Sequence, residues 1–183
     1  MRNAEKMKEN GFLKRLRKGD HRAFTEAYDL FAPKLYRHAY FRTSSHETAE
    51  DIMGQTFLKA WEFVSTKPGE VENLKAFLYR ICNNLIIDHY RSKVRTDIAI
   101  TDGLERTLST DEDIEDAADL GIALDRMHEA LDGLHHEAKD LIVMRYIDEL
   151  TMDEISVIKG KTKNALYVAL HRAVKELRIV CSA

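Results

Sequence analysis

Residues 46–64, HETAEDIMGQTFLKAWEFV, decide how the chain is read. Ala49, Ile52, Met53, Thr56, Phe57, Ala60, Trp61 and Val64 recur at alternating steps of three and one. That spacing stacks side chains on one face of an α-helix. Ser44 followed by Glu47 matches a capping box for this helix, and Lys67, Pro68 and Gly69 break it. Upstream, residues 22–41 repeat the period through Ala23, Phe24, Ala27, Tyr28, Phe31, Leu35, Tyr36, Ala39 and Tyr40. Downstream, a third helix is predicted from about Glu72 to Val94, with Leu74, Phe77, Leu78, Ile81, Cys82 and Leu85 on its apolar face. Only 8 Gly and 2 Pro occur in 183 residues, and no strand-like alternation appears. An all-β protein with many tight turns is excluded, and an all-α fold is expected.

Charge divides the chain where periodicity is lost. Residues 1–95 hold 18 Lys and Arg against 12 Asp and Glu, residues 96–125 one basic against 10 acidic, and residues 126–183 nine of each. The expected organisation is two small helical domains, residues 1–95 and 121–183, joined by a flexible acidic linker at 96–120. A charge run is equally read as a solvated face.

In the second block, Ile122, Leu124, Met127, Leu131 and Leu134 lead into Ala138, Leu141, Ile142 and Tyr146. Thr151 and Glu154 form a capping box ahead of Ile155 and Ile158. Gly160 supplies a turn with positive φ. Thr162 caps a longer helix that buries Leu166, Leu170, Ala173 and Leu177. A short helix, a glycine turn and a longer helix make a helix-turn-helix pattern; an ordinary helical hairpin reads the same way.

Other chemistries find little support. Cys82 and Cys181 are far apart with no CxxC, which excludes a disulfide scaffold and suits a reducing cytosol. No apolar signal region begins the chain and no apolar run nears 18 residues, so a cytoplasmic location without membrane insertion is expected. Among the 8 His, the adjacent His135 and His136 cannot share a helix face, and His128 finds no third ligand at a usual spacing. No phosphate loop, nucleophile elbow or paired carboxylates appear. No metal, cofactor or catalytic residue is expected.

Taken together, the two blocks resemble a bacterial RNA polymerase sigma factor of the extracytoplasmic-function (ECF) type, from about Gly19 to Arg178. GDHRAFTEAYDLF (19–31) resembles the start of region 2. AEDIMGQTFLKAW (49–61) resembles the segment that docks on the clamp helices of the polymerase β′ subunit. NLKAFLYRICNNLIIDHYRSKVR (73–95) resembles the segment that melts and reads the −10 element. LDGLHHEAKDLIVMRYIDELTMDEISVIKGKTKNALYVALHRAVKELR (131–178) resembles region 4, which reads the −35 element.

The resemblance assigns roles that charge and spacing can carry. Polymerase binding falls to Asp51, Gln55, Lys59 and Glu62, a stripe suited to a polar interface rim. Contact with the −10 region falls to Lys75, Arg80, Asn83, Asn84, Arg91 and Lys93, where cations hold phosphates. The resemblance builds a pocket for an unstacked base from the loop Ser65–Asn73 and the exposed face of this helix, where the Asn84 amide can pair with the base edge. Contact with the −35 region falls to Lys161, Lys163, Asn164, Tyr167, His171 and Arg172. The implied partners are core polymerase, promoter DNA and an anti-sigma factor, with the acidic linker threading the polymerase's basic channels. A second reading keeps only a helix-turn-helix DNA-binding transcriptional regulator with an N-terminal helical sensing or dimerisation domain. A third is a pure interaction protein. The basic helix at 75–95 argues against the second, because a sensing domain needs no cationic groove.

The chain also departs from the pattern. Gly54-Gln55 stands where the family usually has Gln-Glu, and a mid-helix glycine costs up to about 1 kcal/mol. Ala165, Tyr167, Val168 and Ala169 stand where the family often has polar or basic groups, so an unusual −35 sequence or weak region 4 binding is expected.

Overall fold

The computed structural model describes residues 11–16, 18, 20–67, 70–97 and 127–181, and every regular element among them is helical. The Asp20 carboxylate accepts from the Arg22 amide at 3.0 Å and opens α1, His21–Thr43. Ser44 ends it in the left-handed region at φ 55°, its N–H donating to the Tyr40 carbonyl at 2.9 Å. Ser45 then caps α2, His46–Thr66, by accepting from the Thr48 amide at 3.3 Å. The expected capping box at Ser44 and Glu47 is therefore replaced. Ser44 makes the reversal between two helices, and its neighbour becomes the cap. The Asn73 side chain accepts from the Ala76 amide at 2.7 Å where α3, Leu74–Asp97, begins.

These three helices pack on one another. Ala23, Ala27, Phe31, Leu35 and Ala39 meet Ala49, Ile52, Phe57, Ala60 and Val64 and, from α3, Leu74, Leu78, Cys82 and Ile86, all buried. Phe12, Leu13 and Leu16, in a helical stretch at 11–16, join the same core. The Phe57 ring lies edge-on to Phe24 at 6.0 Å and tilted against Tyr28 at 4.6 Å.

The second half begins with helical residues 127–132. α4, His136–Ile142, widens into a π-helical turn over Val143–Ile147, where the Asp148 amide reaches back to the Val143 carbonyl at 2.9 Å. α5, Met152–Lys159, carries both bonds of its capping box: the Glu154 amide to Thr151 Oγ1 at 3.2 Å, and the Thr151 amide to Glu154 Oε2 at 2.7 Å. Gly160 turns the chain at φ 63°, and Thr162 caps α6, Lys163–Val180. Leu150, Ile155, Ile158, Leu166, Leu170 and Ala173 are buried. The helix-turn-helix pattern read from the sequence is thus formed element by element. The acidic connector expected at 96–120 lies outside the described residues from 98 onward, as do Ile122 and Leu124.

The two halves also pack on each other. α5 lies against α3, and the π-helical turn lies against α1.

Candidate polymerase and nucleic-acid interfaces

α2 is amphipathic, and its outer face holds the first surface. Asp51, Gln55, Lys59 and Glu62 are all exposed. At 100° per residue they fall on one stripe. Leu58 lies at the edge of that stripe, beside Asp51 and Glu62, and is 58% exposed. Its signal in the sequence is an apolar side chain out of register with the core face. Gly54 borders the stripe, and a Cβ there would meet nothing within 4 Å, so its lack of a side chain answers no steric need of the folded chain. An exposed apolar residue flanked by polar groups suits an interface with a polar rim.

On α3 the expected −10 residues separate. Arg80, Asn84 and Arg91 are exposed and share one face. Arg91 forms an exposed pair with Asp88 at 3.8 Å. Asn83 is buried, which keeps its side chain off that face. Lys75 points to the other half, with its ammonium 3.5 Å from Glu154 of α5. Lys93 lies in α3, but its side chain falls outside the described residues. Tyr79 is fully buried, and burial pushes its phenol well above the ordinary range.

All six expected −35 residues, Lys161 just ahead of α6 and Lys163, Asn164, Tyr167, His171 and Arg172 on it, are exposed, as is Val168. Lys161 pairs with Glu137 at 2.7 Å and Lys163 with Asp153 at 2.8 Å.

The contact between the halves holds charged groups that the sequence reading did not single out. His38 and Arg42, one turn apart on α1, are 0% and 4% exposed; Asp140 and Asp148 are 3% and 6% exposed. His38 Nδ1 lies 2.7 Å from Asp148 Oδ2. Arg42 and Lys159 both pair with Asp140. Arg37 donates to the Ile147 carbonyl at 3.0 Å, and the Tyr90 ring lies 4.8 Å from that of His136. Burial pushes Arg42 down to about 10. Burial, and then repulsion from Arg42, pushes Lys159 down to about 8. Charges withdrawn from water are stable only when paired, and Asp140 supplies the partner for both cations. The signal available in the sequence was positional: His38 and Arg42 follow Leu35 at helical spacing, and Asp140 sits between Ala138 and Leu141.

Among the described residues no helix is long and apolar enough to cross a membrane, and no three His, Cys, Asp or Glu side chains converge as metal ligands would.

Comparison with known proteins agrees with this architecture. Residues 27–96 match the family model of Sigma-70 region 2, and residues 124–177 that of Sigma-70, region 4. The ECF RNA polymerase sigma factor SigW of Bacillus subtilis is 28% identical over 175 residues, covering 91% of this chain and 92% of SigW. The RNA polymerase sigma factor SigV of the same organism is 30% identical over 145 residues, covering 79% and 82%. The ECF sigma factor BldN of Streptomyces coelicolor is 26% identical, and the match takes in 90% of this chain but 62% of BldN. In fold the chain is similar to CnrH, solved in complex with the cytosolic domain of CnrY, with a TM-score of 0.72 at 21% identity over 96% of this chain and 97% of that one. It is similar also to the sigma factor RpoE of Bartonella quintana, solved with the anti-sigma factor NepR, with a TM-score of 0.67 at 21% identity over 87% and 97%. With both sigma-70 regions matched in order and relatives 28% and 30% identical over most of their length, the chain belongs to the sigma-70 family, as an RNA polymerase sigma factor of the ECF type.

Proposed function

We propose that the two halves divide the work of a sigma factor as their surfaces are divided, with region 2 spanning 1–95 and region 4 spanning 121–183. α2 binds core polymerase through Leu58 and the adjoining stripe of Asp51, Gln55, Lys59 and Glu62. Arg80, Asn84 and Arg91 on α3 hold and read the opened −10 region, with Lys93 adding a phosphate contact, while Lys75 ties α3 to α5 through Glu154. Asn83 supports that helix from inside. α6 enters the major groove of the −35 element. The single observation that carries this reading is the exposed stripe of α3, which sets two guanidinium groups around one amide. Cations fix phosphates without reading sequence, whereas an amide can pair with a base edge.

The protein performs no chemistry of its own in this reading. It works in the cytoplasm with the polymerase, and the acidic connector serves within the assembled enzyme. An anti-sigma protein covers the same faces at rest, a role for which NepR bound to RpoE is the structural parallel. The match of residues 27–96 to Sigma-70 region 2 speaks against a sensing or dimerising N-terminal domain. The test is transcription by bacterial core polymerase with and without the purified chain. Promoter-dependent transcripts are expected only when the chain is present, and their absence would refute the proposal.

A further inference from the structure

We infer that the recognition helix α6 selects A·T pairs in the −35 element through Asn164 and the methyl groups of Val168. The inference rests on the reading of α6 as the −35 reader and specifies what it reads. Leu166, Leu170 and Ala173 turn inward and are buried. At 100° per residue, the positions half a turn away are 164, 168, 171 and 175. Asn164, Val168, His171 and Lys175 occupy them, all exposed, with Val168 at 53%. In a helix-turn-helix it is the first turns of the recognition helix that meet base edges. On this stripe those turns offer one amide and one branched hydrocarbon, with Tyr167 exposed to one side. An Asn amide pairs in bidentate fashion with adenine N6 and N7, and an apolar side chain packs on the thymine C5 methyl.

Guanine is read by bidentate Arg or Lys, and the first two turns of this stripe carry neither. Lys163 lies to the side of the stripe and pairs with Asp153 at 2.8 Å; Lys161 precedes the helix and pairs with Glu137 at 2.7 Å. Arg172 and Lys175 come two and three turns in, where they are suited to phosphates.

The experiment uses the full chain assembled with bacterial core polymerase and a promoter library with a randomised −35 segment. The selected sequences should carry adjoining A·T pairs where α6 docks. In a selected promoter, replacing the contacted thymine by deoxyuridine removes only the methyl group. Initiation should fall about fourfold, the effect of losing burial of one methyl-sized group. Val168→Ala should abolish that sensitivity, so that the thymine and deoxyuridine templates initiate equally. Asn164→Ala should relax the preference for adenine at the neighbouring pair. Selection of G·C pairs, no −35 preference, or full activity on the deoxyuridine template would each overturn the inference while leaving the sigma-factor reading intact. Failure to initiate at any member of the library would overturn both.

Discussion

Replacing Asp140 with Asn tests the buried contact between the halves most directly. Asp140 is the carboxylate that Arg42 and Lys159 share, and all three are largely withdrawn from water. The amide keeps the volume and removes the charge, stranding two cations beside each other. Lys159, already held down at about 8, can shed its proton close to neutral pH. Arg42, held at about 10, stays charged, so it sets the penalty. Leaving a buried charge without its partner costs about 3–5 kcal/mol. That cost has a ceiling. If the halves part, Arg42 regains water, so the loss cannot exceed the free energy that holds them together. Urea unfolding and small-angle scattering of Asp140→Asn separate the two cases. Either the unfolding free energy falls by about 3–5 kcal/mol, or it falls by less and the radius of gyration rises. Adding Arg42→Met removes the stranded cation and should restore most of the loss, with a coupling energy readable from the double-mutant cycle. A loss under about 1 kcal/mol, with an unchanged radius of gyration, would refute the idea that this charge cluster holds the halves together.

Three further outcomes are expected. Charge reversal at Asp51 and Lys59 together should weaken co-elution with core polymerase while leaving the fold intact. Phe57→Ala, which empties a site against Phe24 and Tyr28, should destabilise region 2 by about 3–5 kcal/mol. Unchanged co-elution of the charge-reversed chain would remove the α2 stripe from the interface. Asn84→Ala and Arg80→Ala should abolish permanganate-reactive thymines at the promoter, whereas Lys163→Ala, whose cation is already paired with Asp153, should lower open-complex yield only several-fold; equal damage from both sets would be the contrary result. Docking of the halves should strengthen as pH rises from about 8 towards 10.5, the values for Lys159 buried and in water. In that window the separated form binds more protons, so rising pH favours the docked form. Asp140 and Glu137 face this ammonium with opposite charge, and Arg42 and Lys161 with like charge. Arg42 acts in the same sense near its own value of about 10. Scattering at pH 7.5 and 9.5 would show the change, and Lys159→Met should reduce it.

The sequence by itself determined the helices, because their causes are local. Apolar residues at 3.6 spacing, Thr151 with Glu154, Gly160 and Thr162 each act within a few positions, and each sits where its pattern placed it. The exposed stripes on α2 and α6 were legible for the same reason: once the buried face of a helix is known, the opposite face follows. Local pattern failed where two signals competed for one position, as at Ser44 and Ser45, where the reversal between α1 and α2 decided which serine caps. It failed more widely where burial came from residues about a hundred positions away. His38 to Asp148 and Arg42 to Asp140 join α1 to the second half, and Lys75 to Glu154 joins α3 to it. A histidine, an arginine and a lysine on a helix surface look solvated to any rule based on periodicity. Only the packing of α5 on α3, and of the π-helical turn on α1, takes them out of water. Because a charge taken out of water requires a partner, that packing also decided which of the expected DNA-binding side chains point outward. It left Arg80, Asn84 and Arg91 in solvent, while Asn83 is held in the interior and Lys75 faces the second half.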